Sequence, residues 1–136
     1  MMSARKALAM SSNTIAVKVA ETLGDSYSEG IDVMIDYLDN FGITTLKDSK
    51  PIDEANSDRQ FPSLVLGGMS YGISPLEMAA AYGALANGGN YIEPTVFTTI
   101  TTFDGNLLVK SNPQENRVVS ESVAYVITDM LQAVVK

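Results

Sequence analysis

Ser11 and Asn13 lie one residue apart, between two segments that read as helices. A serine hydroxyl and an asparagine amide at such a junction can both point into a cleft. As a bare tripeptide the same residues also suit a helix cap, so the elements around them decide the reading. The rest of the inventory narrows the chemistry. The 136 residues contain no histidine and no cysteine. That excludes Ser-His-Asp and Cys-His catalysis, thiolate metal sites and most zinc sites. Any acyl transfer would need a lysine or carboxylate base. Asp32, Asp36 and Asp39 fall at i, i+4 and i+7, but like charges at that spacing repel and no glycine-turned calcium loop accompanies them. They read as a solvated helix face, and no metal or cofactor is called for.

The elements that must position Ser11 and Asn13 follow from periodicity and end signals. Ser3 to Met10 reads as a short helix of strong helix formers, interrupted by Ser11-Ser12-Asn13. A second helix is expected from about Asn13 to Leu23, with Ala16, Val19, Ala20 and Leu23 on one stripe and Gly24 as its stop. A third covers about Glu29 to Phe41, with Ile31, Met34, Ile35, Leu38 and Phe41 as its apolar face and Gly42 at its end. Ile43 to Ser63 reads as a polar surface loop about twenty residues long, Asn56, Ser57 and Asp58 included.

The best-signed element is the next helix. Ser74 is its N-cap, Pro75 its first residue, and Glu77 can reach back to complete a capping box. Asn87-Gly88-Gly89 stops it. Its small, apolar interior, Leu76 to Leu85, predicts a helix buried on nearly all sides. Thr95 to Phe103 and Asn106 to Lys110 then flank Asp104-Gly105, which predicts a hairpin. Ser111 to Asn116 reads as a loop. A last helix begins near Ser120 with Val123, Val126, Ile127, Met130, Leu131 and Val134 on one stripe. The fold class expected is mainly α, four to five helices with one β-hairpin.

Composition bounds the partners. Apolar residues make up 46% of the chain, enough for a packed core. A net charge of −7 argues against nucleic acid and against anionic lipid. No apolar run approaches the roughly 18 residues of a membrane span, and no signal peptide is visible.

Three blocks, in order, resemble one family. Ala7-Leu8-Ala9-Met10-Ser11-Ser12-Asn13-Thr14-Ile15-Ala16-Val17 is similar to the S-x-N box of penicillin-binding transpeptidases. About sixty residues on, Gly72-Ile73-Ser74-Pro75-Leu76-Glu77-Met78-Ala79 and its Ala-rich helix resemble the class A type in particular. Val119 to Val135 resembles the helix that precedes the family's last box, K-T-G.

The resemblance implies a D,D-transpeptidase that crosslinks peptidoglycan stem peptides by serine acyl transfer, binds β-lactams, and is membrane-anchored outside the cytoplasm. It implies that Ser11 hydrogen-bonds the lysine of the S-x-x-K box and helps pass a proton to the leaving nitrogen. Asn13 would hold the acyl-side amide of the bound peptide. The fold implied is the middle portion, residues 1–136, of the α+β transpeptidase fold without most of its central sheet. No K-T-G occurs. The S-x-x-K string Ser3-Ala4-Arg5-Lys6 is too close to Ser11 for the family's nucleophile box and reads as coincidence on an exposed helix. The 136 residues alone are therefore expected to be inactive. Exposed apolar stripes are expected to drive self-association. The alternatives are a β-lactam sensor or serine β-lactamase relative, and a non-catalytic helical interaction module. The transpeptidase reading also places Ser11 and Asn13 on a groove beside Gly72–Leu85.

Overall fold

The computed structural model describes residues 2–46 and 57–135. Among the described residues, five α-helices and four short strands follow in the order α1 (Ala4–Ala9), α2 (Asn13–Ala20), α3 (Tyr27–Asn40), α4 (Pro75–Ala86), β1 (Asn90–Ile92), β2 (Thr99–Thr101), β3 (Leu107–Lys110), β4 (Glu115–Arg117) and α5 (Glu121–Leu131). Single 3-10 turns cover Leu64–Leu66 and Gln132–Val134. None of the described helices is long and apolar enough to cross a membrane.

Helix starts are set by local caps. Ser3, Ser26, Ser74 and Ser120 each accept a hydrogen bond from the backbone N–H three residues on. Ser26 draws the start of α3 back to Tyr27, two residues ahead of the expected Glu29, because the Glu29 N–H donates to its hydroxyl at 3.2 Å. The Glu29 carboxylate in turn accepts from the Asp25 N–H at 2.8 Å. The α2 helix stops at Ala20 rather than Leu23, and residues 21–24 form a turn.

The core sits under α3. Ile31 and Ile35 are buried with Leu64, and Met34, Leu38, Leu46, Phe61 and Met69 pack around them. Tyr27 stacks on Phe61 with ring centroids 4.5 Å apart. The Phe61-Pro62 peptide bond is cis. On the solvated face of α3, Asp32 keeps a 45% exposed side chain and is ion-paired with Arg59, a side chain that is itself buried.

The long polar segment also departs from the surface-loop expectation where it is described; residues 47–56 lie outside the described residues. Ser57 and Asp58 are buried, Asp58 to 4% exposure. The Asp58 carboxylate accepts from the Ser70 N–H at 2.6 Å and the Ser70 hydroxyl at 2.7 Å. Its burial is tolerated because the charge is hydrogen-bonded.

The α4 capping box forms as expected. The Glu77 carboxylate also accepts from the Thr44 N–H at 2.8 Å and hydroxyl at 2.9 Å, tying the chain after α3 to the start of α4. Hydrogen bonds from Ser74, then Thr44, pull the Glu77 carboxyl down to about 2. A depressed folded pKa contributes stability above the unfolded value of 4.5 and loses it as pH falls toward 2. We expect Glu77→Gln to destabilise by about 1 kcal/mol at pH 7, discounted for the partly exposed site. The two proteins should converge near pH 2, read from denaturant midpoints; a gap that stays constant with pH would refute the role of charge.

Nearly all-round burial of α4 is not observed. Only Ala84 is buried, whereas Leu76 and Tyr82 are 57% and 55% exposed. One side of α4 meets α5 and β1, and the described residues leave the other side open. The α5 stripe is split in the same way, with Val123 and Val126 exposed and Ala124 buried between them.

The expected hairpin is β2–β3, paired Thr99 with Lys110 and Ile100 with Val109. Thr102 and Gly105 close the turn, with Gly105 alone at positive φ. A second antiparallel ribbon was not expected. β4, read as part of a loop, pairs with β1 in the register Asn90 with Arg117, Tyr91 with Asn116 and Ile92 with Glu115. Glu, Asn and Arg carry little strand preference, so β4 has no local signature. The β1–β4 ribbon brackets β2–β3 in sequence and hands the chain to α5.

Candidate functional site

The α1–α2 junction holds Ser11 in a rare conformation. The Ser11 N–H donates to the Leu8 carbonyl and the Ser12 N–H to the Ala7 carbonyl, both at 3.0 Å. This pair of bonds is a Schellman motif, which needs a left-handed residue at the position Ser11 occupies. Its φ is +50°, and no other described non-glycine residue has a positive φ. Two other turns in this chain use the same bonding pattern, after α3 and after the Leu64–Leu66 turn. Both place glycine there, Gly42 and Gly67. A serine at this position costs about 1 kcal/mol in backbone sterics.

The second residue of the box, Ser12, takes the N-cap position of α2, and its carbonyl accepts from the Ala16 N–H at 3.0 Å. Its side chain does not cap the helix. Asn13 is the first helical residue. Ser11 and Asn13 are both exposed. Among the described residues neither the Ser11 hydroxyl nor the Asn13 amide is engaged in a hydrogen bond, so neither is an ordinary helix-end cap.

Both side chains line the rim of a groove of about 580 Å³. Ala4, Ala7 and Leu8 of α1 form one wall. The expected core stripe of α2, Ala16, Val19, Ala20 and Leu23, forms another, and only Ala20 of the four is buried. Val65, Leu66 and Met130 complete it. The expected place beside Gly72–Leu85 is not borne out, because no α4 residue lines the groove. Its position follows from α2 packing on the Leu64–Leu66 turn instead.

The polar rim is Ser11, Ser12 and Asn13, and among the described residues no charged side chain lines the groove. The rim can donate and accept hydrogen bonds against an apolar floor. Among the described residues it holds no lysine or carboxylate beside a hydroxyl. Ser3 is elsewhere: its hydroxyl caps α1 by accepting from the Lys6 N–H at 3.3 Å, and the Lys6 side chain is exposed. The Ser3-x-x-Lys6 string is thus a capped surface helix.

Comparison with known proteins gives the arrangement a family. The model of the penicillin binding protein transpeptidase domain matches residues 1–136. The chain is 36% identical over 134 residues to penicillin-binding protein 1A/1B of Bacillus subtilis, covering 98% of this chain and 13% of that protein. It is 34% identical over 128 residues to penicillin-binding protein 1A of Clostridium botulinum, covering 94% of this chain and 14% of that protein. The backbone superposes on penicillin-binding protein 3 of Mycobacterium tuberculosis, a structure complexed with aztreonam, with a TM-score of 0.76 at 24% identity, covering 98% of this chain and 30% of that one. The described elements therefore share the transpeptidase fold. With the whole chain matched by the family model and class A proteins among its relatives, it belongs to the penicillin-binding protein transpeptidase family, class A.

Proposed function

We propose that these 136 residues are the middle, mainly helical portion of a class A transpeptidase domain. The whole protein is then a serine D,D-transpeptidase that crosslinks peptidoglycan stem peptides, anchored to the membrane outside the cytoplasm. Its serine nucleophile attacks the D-Ala–D-Ala carbonyl, expels the terminal residue and passes the acyl group to an amine. β-Lactams acylate the same serine; the shared name of the relatives supports this. Ser11 accepts a proton from the lysine of the nucleophile box and relays it toward the leaving nitrogen. Asn13 hydrogen-bonds the acyl-side amide.

One observation carries this reading. Ser11 keeps a strained left-handed backbone where glycine fits better, and among the described residues its hydroxyl is left unbonded at the rim of a groove. Strain retained at a polar, unpartnered side chain points to a role beyond folding. The same groove supports inactivity of these residues alone: among the described residues no lysine or carboxylate lines it, and the K-T-G box that would help form the oxyanion hole does not occur in the 136 residues. One missing oxyanion donor already costs about 3–4 kcal/mol of transition-state stabilisation.

A fluorescent penicillin should label the full-length protein covalently and leave the isolated 136-residue chain unlabelled. A covalent adduct on Ser3 would overturn the coincidence reading of Ser3 and Lys6. The exposed side chains of Leu76, Tyr82, Val123 and Val126 support self-association of the isolated chain. Light scattering on the same sample should then report a dimer, and a clean monomer at high concentration would count against it.

A further inference from the structure

Two walls of the groove, α1 and the end of α5, are joined by one side chain. The Arg5 Nη1 donates to the Asp129 main-chain carbonyl at 2.7 Å, and its Nη2 pairs with the Asp129 carboxylate. Ala4, Ala7 and Leu8, which flank Arg5, line the groove, as does Met130, the neighbour of Asp129. The clamp therefore sits where the two walls meet.

Each end of this contact has a local reason to exist. Asp129 stands in the last turn of α5, at the negative end of the helix dipole, where a carboxylate is unfavourable alone. Its carbonyl is among the last four of the helix, which lack an N–H partner four residues on within the helix. A guanidinium answers both, with two prongs in fixed geometry. On the other side, α1 has six residues, too few to hold itself, and buries only Ala7. The two side chains are 47% and 43% exposed, so the pair adds little to global stability. It stands where α1 packs on α5, and the turn at the end of α1 carries Ser11.

We propose that Arg5 and Asp129 are positioning residues for Ser11: their two-pronged contact sets the angle of α1 against α5 and so the place of the Ser11 hydroxyl. This rests on the proton-relay reading of Ser11. A shift of about 1 Å in a reacting group can cost on the order of a hundredfold in rate. The coupling should therefore appear in the chemical step rather than in binding.

The test uses the full-length protein and a fluorescent penicillin. Arg5→Gln should slow the acylation step by about tenfold or more, with the affinity of the non-covalent complex unchanged. Asp129→Asn, which keeps the main-chain carbonyl prong, should slow it by less, and the double substitution should be no slower than Arg5→Gln alone, because Asp129 acts only through Arg5. Asn116→Ala, which loses the bond from the Asn116 amide to the Asn40 carbonyl away from the groove, should leave acylation unchanged. Additive losses in the double variant, or equal slowing in Asn116→Ala, would mean general loosening and overturn the proposal. If Arg5→Gln reacts at the wild-type rate, the positioning role alone fails. If the wild-type protein is not acylated, the transpeptidase reading fails and the positioning role with it.

Discussion

Replacing Ser11 by glycine should slow penicillin acylation of the full-length protein by about a hundredfold or more while making the domain more stable. The two effects have separate causes. In the proposed mechanism the hydroxyl is the relay, and losing a positioned proton-transfer group costs about 10²–10⁴-fold. The backbone is strained, with φ at +50° in a turn that elsewhere in this chain carries glycine. Glycine removes that strain, worth about 1 kcal/mol, against a smaller entropic cost in the unfolded chain. The net gain is then about half a kcal/mol or less, and the expected rise in thermal midpoint is about 1–2 °C. Ser11→Ala supplies the contrast, since it deletes the hydroxyl and keeps the strain. It should lose as much acylation and gain no stability. Acylation kinetics and melting curves on the three proteins decide the matter. A glycine variant that reacts within twofold of wild type would remove Ser11 from the mechanism.

The largest structural effect is expected at Gly89. Its φ is +90°, and a Cβ built there would stand 2.2 Å from the Val119 carbonyl oxygen and 3.1 Å from Val119 Cγ2. The contact is with backbone, which cannot swing away. Gly89 is also a node. Its N–H donates to the Ala84 carbonyl at 2.8 Å, and its carbonyl accepts from the Val118 and Val119 N–H groups at 2.9 and 3.3 Å. Relieving the clash means parting the end of α4 from the chain that leads into α5. Backbone strain of about 1–2 kcal/mol and two or more hydrogen bonds near 1 kcal/mol each put Gly89→Ala at about 3–4 kcal/mol. That is a large share of a typical domain stability of about 5–15 kcal/mol. Gly105→Ala isolates the strain alone, because Gly105 has φ +83° and open space around it. It should cost about 1 kcal/mol. Equal denaturant midpoints for the two variants would show that the Val119 contact relaxes freely.

The candidate site was legible as residue types and as order along the chain. Ser11 and Asn13 stand at the expected junction, and both reach a groove. Their freedom from capping was not legible, because the same tripeptide suits a cap; Ser12 takes that role through its backbone and releases Asn13. The clamp from Arg5 had no local signal at all, since its partner lies 124 residues away. The β1–β4 ribbon was missed for a related reason. Its strands are three residues each, and the polar Glu115-Asn116-Arg117 becomes a strand only by pairing with Asn90–Ile92. Ser57 and Asp58 were read as surface polar residues because burial of a carboxylate depends on donors at Ser70 that no nearby pattern announces.

By itself the sequence determined the starts of α4 and α5, the Asp104-Gly105 hairpin, the excluded chemistries and the three ordered blocks. These rest on side chains that satisfy backbone groups within about four residues, or on residue types that are present or absent. Tertiary structure decided which apolar stripes are covered, where the groove opens, and what holds α1 against α5. Those depend on partners dozens of residues away, whose approach no local periodicity encodes. An apolar stripe states that a face seeks cover, and only the packed chain states whether that face becomes core, as on α3, or the wall of a groove, as on α2.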